Sequence, residues 1–535
     1  MEQNKWFSAS QFSGMIPSMT NLQIWGVGKD YGIAPALFGM VGLLLVTIAT
    51  GFVIMKLMAP RMNLPPGPPA LPIVGNWFQF GDDLNHHKLA GLAEQYGDVL
   101  ILKLGKRNLV VVSSPEAAKE VLHTQGIAFG SRTCNIVFDI FSGRGQDTVF
   151  TNYGEHWRKM RRIMTVPFFT TKSVQRMHTV WEEEADHVIK DITASPEATT
   201  TGVVIRRRLQ LMIYNIMYRM MFDTRFEGED DPLFVKLREL NGMRSGVTQS
   251  FEYNYADFIP ILRPFLKPFL DRCWDIKRKR DDVFRGFINN HKKSVAVKGP
   301  QSSIGKPGID HILSAEQNGE INEDNMLYMI ENVNAAGTET TLWSIEWGLA
   351  ELVNNPEMQK RMRDELDEIL GKGNLMCEAD THNNKLPYLT AFVKEVMRYH
   401  MSIPLLVPHL NVNQEKLMGY DIPAGSRIYV NAWWIGNNPK YWDKPNEFIP
   451  ERFLNSHMEL TGNDFRFLPF GSGRRACPGI AIAMPLVPIV LGRLVQSFEL
   501  LLPPGVDKID VAELAGQFSN RIAVQSTIVV KPRPM

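Results

Sequence analysis

The stretch FLPFGSGRRACPG constrains this chain more than any other feature. In it Phe470, Gly473, Arg475, Cys477 and Gly479 stand in fixed register just before the apolar helical pattern IAIAMPLVPIVLGRLV. A thiolate ligand needs a loop that lets another group approach closely, and Gly471, Gly473 and Gly479 permit such an approach. Amides at the start of the following helix can donate to sulfur, which is expected to lower the thiol pKa. Arg475 is placed to offset anionic charge, and Phe470 to shield the sulfur from water. A cysteine taken singly is more often an inert buried residue. The combination is far more specific than the cysteine alone.

The other three cysteines, Cys134, Cys273 and Cys377, show neither CxxC pairing nor the Cys/His spacing of a zinc site. A disulfide framework is not expected, and at 535 residues the chain can bury its core without one. That cysteine usage fits a reducing compartment. Lys and Arg total 58 against 57 Asp and Glu, so no net field favours nucleic acid or a strongly anionic partner. Docking by charge must come from local patches.

From Ile33 to Met55 no charged residue occurs, a length sufficient to cross a hydrocarbon core as a helix. The run lacks the basic start and small-residue cleavage site of a signal peptide. Lys56 and Arg61 follow it, whereas Lys5 and Lys29 before it sit near Glu2 and Asp30; this bias places the downstream body in the cytosol. The expected division is an N-terminal extension over 1–32, a transmembrane anchor over 33–55, a Pro-rich hinge over 56–70 and one catalytic domain over 71–535.

Beyond the hinge NLPPGPPALPIVGN, β-rich runs from Val99 to Leu102 and Leu109 to Val112 flank Gly105 as a hairpin requires. Ser114 and Pro115 form a helix start. From Trp157 to about Lys292 the pattern is mostly helical, and AVKGPQSSIGKPG reads as a loop. A long helix is expected from about Glu323, capped by Asn322, to Asn355, stopped by Pro356. Further on, KLPYLTAFVKEVMRYH reads as a helix and DIPAGSRIYVNAWW as short strands. The fold class is therefore mainly α with a smaller β-rich part.

Three more constellations precede the cysteine loop. Glu395 and Arg398 lie three apart on one helix face, with Arg452 following in PERF. The long helix carries NAAGTETT, with small Ala336 and Gly337 before Glu339 and Thr340. In EHWRKMRR, Trp157 and Arg161 share one helical face. Each alone has a bland reading: a solvated ion pair, a packing glycine with polar neighbours, a solvated basic face.

Together with the cysteine loop, these motifs resemble the cytochrome P-450 superfamily. The resemblance implies the cytochrome P-450 fold, haem b with Cys477 as axial ligand, and a Glu395–Arg398–Arg452 network that locks the core behind the haem. It also implies a proton relay by Glu339 and Thr340 beside space for O2, and propionate contacts from Trp157 and Arg161, with Arg475 and His409 as further candidates.

Long segments, among them NLVVVSSPEAAKEVLHTQGIAFGSRT, YGEHWRKMRRIMTVPFF and TLWSIEWGLAELVNNPE, resemble the cinnamate 4-hydroxylase family from about Leu64 to the C-terminus. This implies para-hydroxylation of trans-cinnamate in phenylpropanoid synthesis with O2 and electrons from NADPH through NADPH-cytochrome P-450 reductase, on the cytosolic face of the endoplasmic reticulum. Reductase docking is expected on a basic patch that includes Arg474. Family segments that line the substrate pocket correspond to Asn334, Ile136, Phe138, Phe141, Ile403 and Leu405. The chain departs from the family at Gly337 and Thr338, where the family carries Ala and Ile, and at Gly246 and His400, where the family carries arginines that can steady a substrate carboxylate; Arg244 is the substitute anchor. Alternatives are a monooxygenase of another small aromatic or phenolic acid, an electron-independent haem-thiolate isomerase or dehydratase, and a non-catalytic haem protein.

Overall fold

The computed structural model describes residues 62–80, 84–132, 135–298, 305–454 and 456–534, together with the positions Met40, Gly42, Leu43, Thr47, Thr50 and Gly51. The chain divides into two units, Met1–Met62 and Asn63–Met535. In the first, the described positions from Met40 to Gly51 are helical and exposed, and the Thr47 hydroxyl donates to the Leu43 carbonyl at 2.7 Å. The rest of the run from Ile33 to Met55, the flanking charges read for orientation, and Cys134 lie outside the described residues.

The second unit is mainly helical with a smaller sheet part. Its first residues are not the hinge expected from their prolines. The Ile101 amide donates to Pro66 O at 2.9 Å, and the Asp421 amide to Asn63 O at 2.7 Å. Asn76 Nδ2 donates to the carbonyls of Pro68 and Pro69, while its Oδ1 accepts from the Lys103 amide. Proline removes a donor but leaves its carbonyl, so this segment satisfies its neighbours by accepting and lies packed along the first strand.

A five-stranded sheet joins Val99–Leu104, Arg107–Val112, Arg427–Val430, His409–Leu410 and Ser131–Arg132 in that order. The expected hairpin is present, each strand two residues longer than read, turning at Gly105 with φ +53°. In the last pair Arg132 stands opposite His409, so the sheet brings together two residues far apart in sequence. After Ser114, whose hydroxyl caps Ala117, Pro115–Lys119 widens into a π turn over Glu120–Thr124. Two expectations need correcting. Helix Lys267–Lys298 runs into the segment read as a loop, and the Ala-Trp-Trp end of the expected strand is the helical turn Ala432–Asn437, capped by Asn431.

Helix Glu323–Asn354 spans 32 residues and so about 48 Å. Asn322 and Asn325 form its capping box. It packs against Ile205–Phe222 and against Ile480–Ser497, which follows the cysteine loop. Among the described residues Ile480–Ser497 is the helix long and apolar enough to cross a membrane, and it is largely buried in the core. Burial rather than lipid explains its composition.

Candidate functional site

Cys477 is held by its own loop. Gly471 and Gly473 have φ of +66° and +67°, values L side chains rarely adopt, and a Cβ on Gly473 would lie 2.0 Å from the Leu122 carbonyl oxygen in the π turn. The loop closes through the Cys477 amide, which donates to Phe470 O at 2.9 Å; Phe470 itself packs against the main core. A Cβ on Gly479 would stand 3.3 Å from the sulfur. The side chain of Cys477 is open to a water-sized probe although protein surrounds it on every side. Those two facts together describe a thiol facing an interior cavity.

Burial pushes the Cys477 thiol above its ordinary pKa, while the Gly479 amide, Arg161 and the Ile480 amide pull the other way. The sequence expectation of a lowered thiol pKa is thus corrected. The helix amides do reach the sulfur, but desolvation outweighs them. A metal ion removes that obstacle, since a coordinating thiol is deprotonated outright.

Around this cavity lies an unbalanced set of cations. Arg161 Nη2 donates to Ala476 O at 2.7 Å and faces Cys477 electrostatically. Arg475 donates to the carbonyls of Gly130, Thr148 and Thr151, and its guanidinium lies 4.4 Å from the Trp157 ring centroid. Burial lowers its pKa to about 10. Arg132, also buried, donates to Val407 O and is held well below the usual arginine value by burial and by repulsion from Arg475. The neighbouring buried carboxylate is Asp147, which desolvation raises to about 6 against the pull of the Phe150 amide and Asn332. Among the described residues, Arg132 Nε and Trp157 Nε1 are buried with no acceptor. Orphaned donors and excess buried positive charge are both costly.

The haem implied by the resemblance fits these features. An iron porphyrin brings a metal for Cys477 and two carboxylates for the orphaned donors of Trp157 and Arg132, within a field set by Arg161 and Arg475. His409 joins them in a particular form. Its Nδ1 lies 2.8 Å from Phe129 O, and burial with Arg132 and Arg475 holds its pKa well below 6.5. The ring is therefore neutral with Nδ1 as donor, and it can donate from Nε2 to a carboxylate only as imidazolium. Arg132 has no sequence motif to announce it; the strand pairing with His409 is its signal.

Behind the cavity Glu395, Arg398 and Arg452 do meet. Arg398 grips Glu395 with two bonds, Arg452 Nε adds a third at 3.1 Å, and the Ile449 amide a fourth at 2.8 Å. The remaining guanidinium donors reach carbonyls of Gly436, Pro445, Asp443, Lys444 and Glu447, tying the segment 436–452 to helix Pro387–Tyr399.

On the central helix the expected proton-relay segment splits by face. Thr340 Oγ1 donates to Ala336 O at 2.7 Å, and Ala336 is exposed in the middle of a buried helix, as a cavity wall must be. Gly337 points elsewhere: a Cβ there would lie 2.5 Å from Met217 Cε. Its smallness serves helix packing, which corrects the reading that both small residues leave space for O2. Glu339 accepts from Ser245 Oγ at 3.3 Å, and burial raises its carboxyl pKa against the pull of Arg244, Ser245 and Arg521.

The expected pocket residues separate likewise. Phe138 meets the rings of Phe150 at 4.2 Å and Phe518 at 5.1 Å, whereas Val137, Ile140 and Phe141 pack into a core with Tyr253. Ile136 borders that core. Phe141 and Leu405 are buried, Leu405 packing with Phe258 and Tyr429. Ile403 is half-buried. Asn334 lies in a buried polar net with Asn241, which also bonds Tyr214 and Arg280. Arg244 is paired with Glu331 at 2.5 Å, and Arg280 with the same carboxylate at 2.7 Å. At the departure His400, Nε2 lies 2.8 Å from Glu351 and the ring stacks on Trp347. At Gly246 the Cβ direction is open.

Compared with known proteins, residues 65–524 match the Cytochrome P450 family. The trans-cinnamate 4-monooxygenase of Petroselinum crispum is 60% identical over 499 residues, covering 93% of this chain and 98% of its own length. That of Glycyrrhiza echinata is 61% identical over 497 residues, covering 92% and 98%. A zebrafish cytochrome P450 solved with abiraterone superimposes with a TM-score of 0.70 at 28% identity, covering 84% of this chain and 99% of that one.

Proposed function

The chain belongs to the cytochrome P450 family, and from that premise we propose that it is a haem-thiolate monooxygenase that para-hydroxylates trans-cinnamate to p-coumarate. The observation that carries this reading is identity of about 60% to trans-cinnamate 4-monooxygenases of several plants over more than nine-tenths of the chain. When bound, haem supplies the iron at which O2 is activated with electrons that originate in NADPH and arrive through a reductase.

The protein's own residues do the rest. Cys477 supplies the thiolate, and the Gly479 and Ile480 amides with Arg161 stabilise its charge. Trp157, Arg132 and, once protonated, His409 donate to the propionates. Thr340 orients a proton beside the cavity through its bond to Ala336. Glu339, whose raised pKa keeps it protonated to higher pH, is the reservoir behind it. Phe138, Phe150 and Phe518 form an aromatic wall for a flat substrate. Arg244 anchors the cinnamate carboxylate by sharing itself between Glu331 and the substrate. An electron-independent isomerase has no use for the Thr340–Glu339 arrangement.

Residues 33–55 anchor the protein once in the endoplasmic reticulum membrane, after an extension over 1–32, with the catalytic domain cytosolic and the reductase docking near Arg474. The bonds of Asn63 and Pro66 to the folded unit support a tether that ends near residue 62.

The test is reconstitution of haem-loaded protein with reductase and NADPH. Cinnamate is expected to shift the Soret band and to be converted to p-coumarate. No shift and no product with cinnamate, alongside turnover of another small aromatic acid, would move the assignment to that acid.

A further inference from the structure

Away from the haem cavity, two imidazoles converge on one carboxylate oxygen. His86 and His87 are the first two residues of helix His86–Tyr96, and their Nε2 atoms lie 3.2 and 3.1 Å from Glu513 Oε2. All three donor atoms fall within 4.8 Å of one another. Neighbouring residues on a helix project about 100° apart, so this convergence requires both rings to be turned towards a common point. The rings lie 4.1 Å apart, and Trp433 walls both, at 4.9 and 4.3 Å. The backbone beneath is fixed, since His86 O accepts from Asn431 Nδ2 at 3.0 Å and Asn85 caps the helix by accepting from the Lys88 amide.

We infer that His86, His87 and Glu513 form a binding site for a divalent transition-metal ion of the Zn2+ type. Zinc bonds to imidazole and carboxylate are roughly 2.0–2.2 Å, so neighbouring ligand atoms of a tetrahedron stand about 3.3–3.5 Å apart. The observed separations of 3.2 and 3.1 Å are close to that edge and longer than the roughly 2.7–2.9 Å of a tight imidazolium–carboxylate bond. Imidazole and carboxylate donors suit zinc and copper rather than calcium or magnesium. His86 is buried and His87 half-exposed, an arrangement that seals one side and leaves a fourth position to water.

The position gives such an ion a structural consequence. Glu513 opens the hairpin formed by Glu513–Ala515 and Asn520–Ile522, whose turn carries Phe518 against Phe138 and whose Phe518 and Ser519 amides donate to Gln249 Oε1. An ion there fastens the stem of a hairpin that walls the aromatic pocket to the helix beginning at His86.

The experiment uses full-length, haem-loaded protein stripped with a chelator, then titrated with Zn2+ against a chromophoric competitor. One Zn2+ per chain is expected, with affinity falling at least tenfold in H87A and in the isosteric E513Q, and unchanged in H187A, an exposed histidine elsewhere. Amide exchange over 513–522 should slow on Zn2+ addition in wild type and not in H87A. With Cu2+ as probe, nitrogen hyperfine structure should report two imidazoles in wild type and one in H87A. The haem spectrum verifies that each variant is folded. Absence of stoichiometric Zn2+, equal affinity in wild type, H87A and E513Q, or an equal loss in H187A would overturn the site.

Discussion

Arg398 donates through Nε and Nη2 to the two oxygens of Glu395, each bond 2.7 Å long, with both side chains fully buried. Such a fork holds only while every other donor and acceptor is satisfied, and here backbone carbonyls and Arg452 complete the set. Glu395→Gln or Arg398→Met should therefore cost about 3–5 kcal/mol by stranding a buried charge. The expected outcome is protein that fails to retain haem, read from the haem-to-protein absorbance ratio after purification. Near-normal haem content would show the network to be dispensable.

Arg132 carries a buried donor without an acceptor, which the haem reading assigns to a propionate. A charge-assisted bond is worth about 1.5–3 kcal/mol, so Arg132→Gln should speed haem loss to an acceptor protein by about tenfold to a hundredfold. Substitution of the exposed Arg158 should leave the rate unchanged.

Thr340 and Glu339 separate proton delivery from binding. Thr340→Ala and Glu339→Gln should keep the thiolate spectrum and the substrate-induced Soret shift. Product formed per NADPH should fall by about a hundredfold, the lower end for general acid catalysis, with hydrogen peroxide released in its place. Coupling equal to wild type would remove both from the relay.

Asp147 gives a pH signature. Its carboxyl is raised from 3.8 to about 6, chiefly by burial, so between those values the native protein holds a proton that the unfolded chain has lost. Stability must then fall as pH rises through this window, by up to about 3 kcal/mol. Urea midpoints measured from pH 4 to 7 should show that decline in wild type relative to Asp147→Asn. Parallel curves would contradict the assignment.

What could be read from sequence was local. The cysteine loop, the hairpin around Gly105 and the capped helix after Asn322 are each written in a few adjacent residues, because turns, caps and periodicity act over short range. Glu395 and Arg398 were legible for the same reason. Arg132, Asp147 and Phe518 were not, since each depends on a partner brought close by sheet pairing or a hairpin. The directions of side chains were also hidden. Gly337 and Ala336 are neighbours in sequence, yet one meets Met217 and the other the cavity, and the packing of Leu405 with Phe258 and Tyr429 joins residues far apart in sequence. The raised pKa of Cys477 escaped because burial, which outweighs the helix amides, is a property of the whole fold.

The most direct measurement is the absorption spectrum of the reduced, carbon-monoxide-bound protein, recorded for wild type and for Cys477→His. Wild type should show the red-shifted Soret band diagnostic of thiolate ligation, and Cys477→His the band of imidazole ligation. A wild-type spectrum without the thiolate band, or a thiolate band that persists in Cys477→His, would contradict the placement of the iron on Cys477.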